Sequence, residues 1–163
     1  MAAKISVAIA VNTEPGAKFI DVYQGETSFK SIIDKNFKGK VVYVDFWGTT
    51  CGPCLIEFDN FTQPLKQHYK NNHKIAYLYV ANGNRYLWKK QIARHKVDGQ
   101  HLFLDYADYN KLYREALNND SATVQMPHYL IVDKTGSVAV ADANRPSDAD
   151  MLYKELDKYL NEQ

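Results

Sequence analysis

Val41–Glu57 reads VVYVDFWGTTCGPCLIE and holds both cysteines of the chain, Cys51 and Cys54. Its first seven residues are almost continuously apolar, as a central strand covered on both faces should be. That run leads directly into Cys51-Gly52-Pro53-Cys54. Two thiols separated by a Gly-Pro turn can close a disulfide and reopen it with little change elsewhere. Pro53 suits the first turn of a helix, where its missing N–H costs nothing. A helix beginning at this turn places the first sulfur near unpaired backbone N–H groups and the positive end of the macrodipole. Both favour thiolate over thiol, and the thiolate is the species that attacks disulfides. The tetrapeptide therefore points to redox chemistry.

The cysteine count narrows the alternatives. A disulfide-stapled scaffold needs more cysteines. A closed zinc site needs about four ligands, and the five histidines, His68, His73, His95, His101 and His128, form no second metal-like cluster. Haem attachment requires C-x-x-C-H, and Leu55 occupies the histidine position. A chain of 163 residues, 45% hydrophobic and 24% charged, fits one globular domain over 1–163, with 1–26 as an N-terminal strand extension. The net charge of +1 gives no reason to expect nucleic acid or an acidic membrane as partner. Twelve tyrosines are scattered along the chain and read as core and core margin. No apolar run approaches the ~18–20 residues that span a bilayer. The short apolar stretch Ile5–Val11 has no convincing cleavage site after it and reads as a strand.

Hydrophobic spacing supplies the remaining elements. Thr27 or Ser28 caps a helix through Asn36, with Phe29, Ile32 and Ile33 on its apolar side. From Pro53 to Tyr69, residues Leu55, Phe58, Phe61, Leu65 and Tyr69 follow helical spacing, with Pro64 expected to kink the second half. Lys74–Ala81 reads as a buried strand, Tyr86–His95 as a helix, His101–Leu104 as a short strand and Asp108–Leu117 as a helix. His128–Val132 and Ser137–Ala141 flank a turn and form a hairpin. An amphipathic helix over Ser147–Leu160 is expected to bury Met151, Leu152, Leu156, Tyr159 and Leu160. This order implies an α/β fold with a central mixed β-sheet flanked by helices.

The Val41–Glu57 segment resembles the active-site segment of thioredoxin-fold proteins, and more narrowly the TlpA/ResA-like branch of thiol–disulfide oxidoreductases. Phe37-Lys38-Gly39-Lys40 is similar to that branch's lead-in to the central strand, and Gln125–Gly136 to its cis-proline loop and hairpin. About 46 residues separate Ala81 from His128, room for the branch's extra strand–helix insertion before that loop. Two positions depart from the pattern: Thr50 stands where a tryptophan is common, and Asp59 where a helix-kinking proline is usual.

The resemblance implies a thioredoxin-like fold and an exchange of dithiol for disulfide with protein substrates, in the reducing direction. Cys51 is the expected nucleophile and Cys54 the resolving thiol. Asp45, in an otherwise apolar strand, is expected to have a raised pKa and to relay a proton to or from Cys54; the alternative is a strand-end carboxylate reaching water. Glu57 would tune the pair, or simply be a favourable charge early in a helix. Met126 and a cis Pro127 would face a bound peptide across from Cys51, with Trp47, Gly52 and Pro53 beside it. His128 and the Tyr106, Tyr109, Tyr113 series read as packing.

No metal or other cofactor is expected beyond the Cys51–Cys54 disulfide. Partners would be proteins carrying disulfides or thiols and an upstream redox donor or acceptor, engaged by a monomer. The branch implies the bacterial periplasm or cell envelope for a mature or excised domain, and a cytoplasmic address stays open. Two rival functions are a non-catalytic binding module of a larger envelope protein and a thiol peroxidase. Against the peroxidase, Gly48 occupies the position where such sites carry threonine, and no proline lies nearby upstream.

Overall fold

The structure, a computed structural model, describes residues 14–22 and 28–163. The strand read over Ile5–Val11 lies outside the described residues, as does Thr27. The described elements are β1 (Ala17–Phe19), α1 (Phe29–Asn36), β2 (Val41–Gly48), α2 (Gly52–Glu57), a π-turn (Phe58–Thr62), α3 (Gln63–His68), β3 (Ile75–Asn82), α4 (Arg85–Arg94), β4 (Gly99–Phe103), α5 (Tyr106–Ala116), β5 (His128–Val132), β6 (Val138–Val140) and α6 (Asp150–Leu160). The six strands form one sheet in the order β1-β4-β3-β2-β5-β6. Parallel pairing joins β1, β4, β3 and β2, and antiparallel pairing joins β2, β5 and β6. This is a thioredoxin-like α/β fold with helices on both faces of a mixed sheet.

Every residue of β2 is buried, which explains its unbroken apolar run. Alternation along the strand sends Val42, Val44 and Phe46 into a core with Phe29, Ile33, Tyr109 and Tyr113 of α1 and α5. On the other face, Val41 and Tyr43 meet Leu65, Leu152 and Leu156 of α3 and α6. Trp47 lies there too, packed with Cys54, Phe58, Trp88 and Ile92. Asp45, between Tyr43 and Trp47, therefore points under the helix that carries Cys54.

Three expectations change. Pro64 does not kink a continuous α-helix; the wide π-turn before it absorbs the missing N–H, and the Thr62 hydroxyl donates to the Glu57 carbonyl at 3.2 Å. The extra residue in that turn shifts the helix phase, so Phe58, Thr62, Leu65 and Tyr69 are buried while Phe61 is 37% exposed. At the C-terminus, Pro146–Asp148 forms a 3₁₀ turn and Ala149 adopts φ 44°, so α6 starts only at Asp150. Its buried stripe is Leu152, Leu156 and Leu160, and Met151 is 62% exposed. The second hairpin strand is also shorter than its apolar run, spanning Val138–Val140.

Candidate active site

Cys51 and Cys54 form a disulfide where β2 passes into α2. Cys51 is the N-cap of α2, with extended backbone, and its sulfur accepts the Cys54 N–H at 3.3 Å. A sulfur thus takes the place that a serine or aspartate oxygen usually fills. Gly52 and Pro53 are exposed, Cys51 is half-buried, and Cys54 is buried against Trp47 and Phe58. A partner can therefore reach Cys51 directly, and Cys54 only through it.

The Met126–Pro127 peptide bond is cis. Met126 borders the same opening as Cys51, because both close on Gly48. A Cβ built at Gly48 would lie 3.0 Å from Met126 Sδ, 3.3 Å from Asn82 Oδ1 and 3.6 Å from Cys51 Cβ. Glycine leaves that space to the methionine sulfur, and Met126 is 37% exposed beside it. Trp47 has no such access. It is fully buried, edge-on to Phe58 with centroids 4.9 Å apart, so it supports the turn from beneath and offers no surface to a substrate.

Sequence reasoning passed over Thr49. It is buried, its N–H donates to the Asn82 carbonyl, its hydroxyl accepts the Asn84 N–H at 2.8 Å, and its carbonyl accepts from Gln91 Nε2 at 2.9 Å. These bonds fix the residues before Cys51 to the β3–α4 loop. Gly83 has φ +109° there, and a Cβ on it would sit 2.5 Å from the Thr49 hydroxyl. The Asn84 side chain caps α4, a signal that the Asn-Gly-Asn run does carry.

Asp45 lies opposite Tyr79 of β3 and Tyr129 of β5. It is buried, and its Oδ1 has no hydrogen-bond partner among the described residues. Burial pushes its carboxyl well above the usual carboxylate range; the Glu57 carboxylate adds to the rise and the Lys66 ammonium opposes it. Lys66 reaches in from α3 over the rings of Tyr77 and Tyr79, at 5.0 and 4.9 Å, and pairs with Asp98. Glu57 is buried as well. Its carboxylate accepts the Ser147 N–H at 3.1 Å and the Ser147 hydroxyl at 2.5 Å, tying α2 to the 3₁₀ turn. Asp59 accepts from, or pairs with, His95 Nδ1 across to the end of α4.

A model of the Redoxin family matches residues 12–154. The chain belongs to the Redoxin family. Among solved structures it is similar to the thioredoxin domain of a thiol–disulfide oxidoreductase from Bacteroides vulgatus, at 27% identity over 78% of this chain and 84% of that one, TM-score 0.61. A thiol:disulfide interchange protein from Bacteroides sp. shares 26% identity over 78% and 77% of the two chains, TM-score 0.61. A candidate thiol:disulfide interchange protein DsbE from Chlorobium tepidum shares the fold at 23% identity, over 78% and 84%, TM-score 0.63. No curated protein matches the chain. With its Cys51–Cys54 disulfide, this Redoxin-family protein is a thiol–disulfide oxidoreductase. Among the described residues no group of three or more His, Cys, Asp or Glu side chains could hold a metal ion, and no helix is long and apolar enough to cross a membrane.

Proposed function

We propose that the protein works as one domain and a monomer that reduces disulfides in protein substrates, in the bacterial periplasm or cell envelope. The observation that carries this reading is the asymmetry of the pair: a half-buried Cys51 at a helix cap and a buried Cys54 packed with Trp47, two residues along β2 from the buried Asp45. The reducing direction and the envelope address rest on the resemblance of the C-G-P-C segment to the TlpA/ResA-like branch.

In the first step the Cys51 thiolate attacks one sulfur of the substrate disulfide. A mixed disulfide forms, and the other substrate sulfur leaves as thiolate and takes up a proton. The ionised fraction of Asp45 then accepts the proton of the Cys54 thiol, Cys54 attacks the Cys51 sulfur, and the remaining substrate sulfur leaves as thiolate and takes up that proton. The substrate leaves as a dithiol and the protein keeps both oxidising equivalents as its disulfide. An upstream dithiol donor reverses that change. Glu57 adds its charge to the site and holds the helix in place through Ser147, while Met126, Pro127, Gly52 and Pro53 form the surface that meets the substrate backbone.

Two measurements test this. The Cys54→Ser protein should accumulate a mixed disulfide with disulfide-bonded insulin; no trapped species, together with no insulin turnover by the parent, refutes the exchange mechanism. Equilibration in glutathione buffers should give a potential nearer the ~−270 mV of thioredoxin than the ~−120 mV of a strong oxidant. A value at the oxidising end overturns the reducing direction.

A further inference from the structure

Tyr113 and His128 are both buried, and the sequence suggests only packing for each. Their hydrogen bonds form a single chain across the cis-proline loop. His128 Nε2 lies 2.7 Å from the Ala141 carbonyl, which can only accept, so Nε2 carries the proton. Nδ1 is then an acceptor, 3.1 Å from the Tyr113 hydroxyl, which donates to it. That hydroxyl in turn accepts the Gln125 N–H at 3.4 Å. Gln125 immediately precedes Met126 and His128 immediately follows Pro127. One phenol thus holds both sides of the two-residue loop that borders Cys51.

The phenol itself is well anchored. Its ring packs edge-on to Phe46 and to the His128 imidazole, with centroids 5.3 and 5.2 Å away. From the next residue of α5, Arg114 Nε donates to the Ala122 carbonyl at 3.0 Å and secures the preceding loop. Phe46 belongs to β2, the strand that also places Cys51. The chain of bonds therefore references the loop to the same strand as the nucleophile.

We propose that Tyr113 and His128 are positioning residues that hold the Met126–Pro127 backbone at the distance and angle a protein substrate needs beside Cys51. This rests on the loop being the substrate surface, as proposed above. A protein substrate must align an extended segment on the loop while presenting its disulfide to Cys51. A small disulfide needs only Cys51. Loosening the clamp therefore raises KM for the protein and leaves the chemistry at sulfur alone.

The test compares insulin with hydroxyethyl disulfide as substrates, and uses Tyr113→Phe, which keeps the ring and deletes the hydroxyl. The ratio of kcat/KM for insulin to that for the small disulfide should fall about tenfold, through KM, with the Cys51–Cys54 potential unmoved. His128→Leu should act the same way. His128→Asn, whose carboxamide oxygen can take the Nδ1 place, should recover much of the ratio, and gives a second reading should the tyrosine variant fold poorly. Nitrogen NMR should find His128 with its proton on Nε2. An unchanged ratio in Tyr113→Phe, a parallel loss on both substrates, or equal defects in His128→Asn and His128→Leu would each overturn the clamp. Met126→Ala separates the two layers of the argument. If it alters the insulin KM while Tyr113→Phe does not, only the clamp fails; if Cys54→Ser traps no mixed disulfide with insulin, the protein-substrate reading falls and the clamp with it.

Discussion

Asp45 is a carboxyl group buried in the middle strand with one oxygen lacking a hydrogen-bond partner among the described residues. Its raised pKa fixes the sign of its effect on stability. As pH rises, an unfolded aspartate loses its proton first, while the folded one keeps it. Stability therefore falls above the ordinary aspartate range, by about 1.4 kcal/mol per pH unit, until the native carboxyl ionises. Asp45→Asn should abolish this slope, so that the variant is more stable than the parent at pH 8 and closer to it at pH 4 in urea titrations. The same variant should resolve its mixed disulfide about 100-fold more slowly, as read by acid quenching and thiol alkylation. Loss of the slope without slower resolution would leave Asp45 as a buried group with no proton-relay role. Glu57 is a different case, because Ser147 satisfies it twice. Ser147→Ala deletes the hydroxyl donor to a buried carboxylate and should cost about 1.5–3 kcal/mol in equilibrium unfolding.

Between elements, the approach to the nucleophile is held by bonds to neighbouring loops more than by its own helix. Thr49, directly after β2, is bonded to Asn82 at the end of β3, to the Asn84 cap and to Gln91 of α4. Thr49→Val keeps the shape and leaves the Asn84 N–H without its acceptor, an expected loss of about 1–3 kcal/mol by denaturant titration. How far such features can be read from sequence depends on range. The β2 strand, the Pro53 helix start and the Ser28 cap follow from local rules, and each is where those rules put it. The phase of α2–α3 is not local, because the π-turn before Pro64 moves Phe61 off the buried face. Met151 is displaced for a related reason, the backbone reversal at Ala149. β1 is three residues with no periodic signal, and exists through its pairing with β4. The partnership of Glu57 with Ser147, 90 residues apart, and that of Lys66 with Asp98 leave no mark in residue spacing.

At the scale of the molecule, a second buried group opposes Asp45. His101 is fully buried in β4, stacked on Tyr79 with centroids 5.0 Å apart, and its Nε2 bonds the Val97 carbonyl. Burial lowers its pKa to about 4. On acidification the unfolded histidine takes up a proton near pH 6.5 while the folded one stays neutral, so stability is lost from about pH 6.5 down to about pH 4. The full effect is on the order of 3 kcal/mol. His101→Phe keeps the stacking and should flatten the curve in that window, measured by urea unfolding at pH 4.5 and 7. An unaltered slope would assign the acid loss to other groups.

The cap at Cys51 has a consequence for the folding equilibrium as a whole. One sulfur closes the first turn of a helix, and its partner is packed in the core. Electron transfer at this pair and folding of the chain are thus two sides of one thermodynamic square. The gap in stability between the dithiol and disulfide forms must equal the gap in potential between the folded and unfolded pair, with 30 mV standing for about 1.4 kcal/mol. Two melting curves, one for each form, therefore weigh how strongly the fold itself favours giving up electrons.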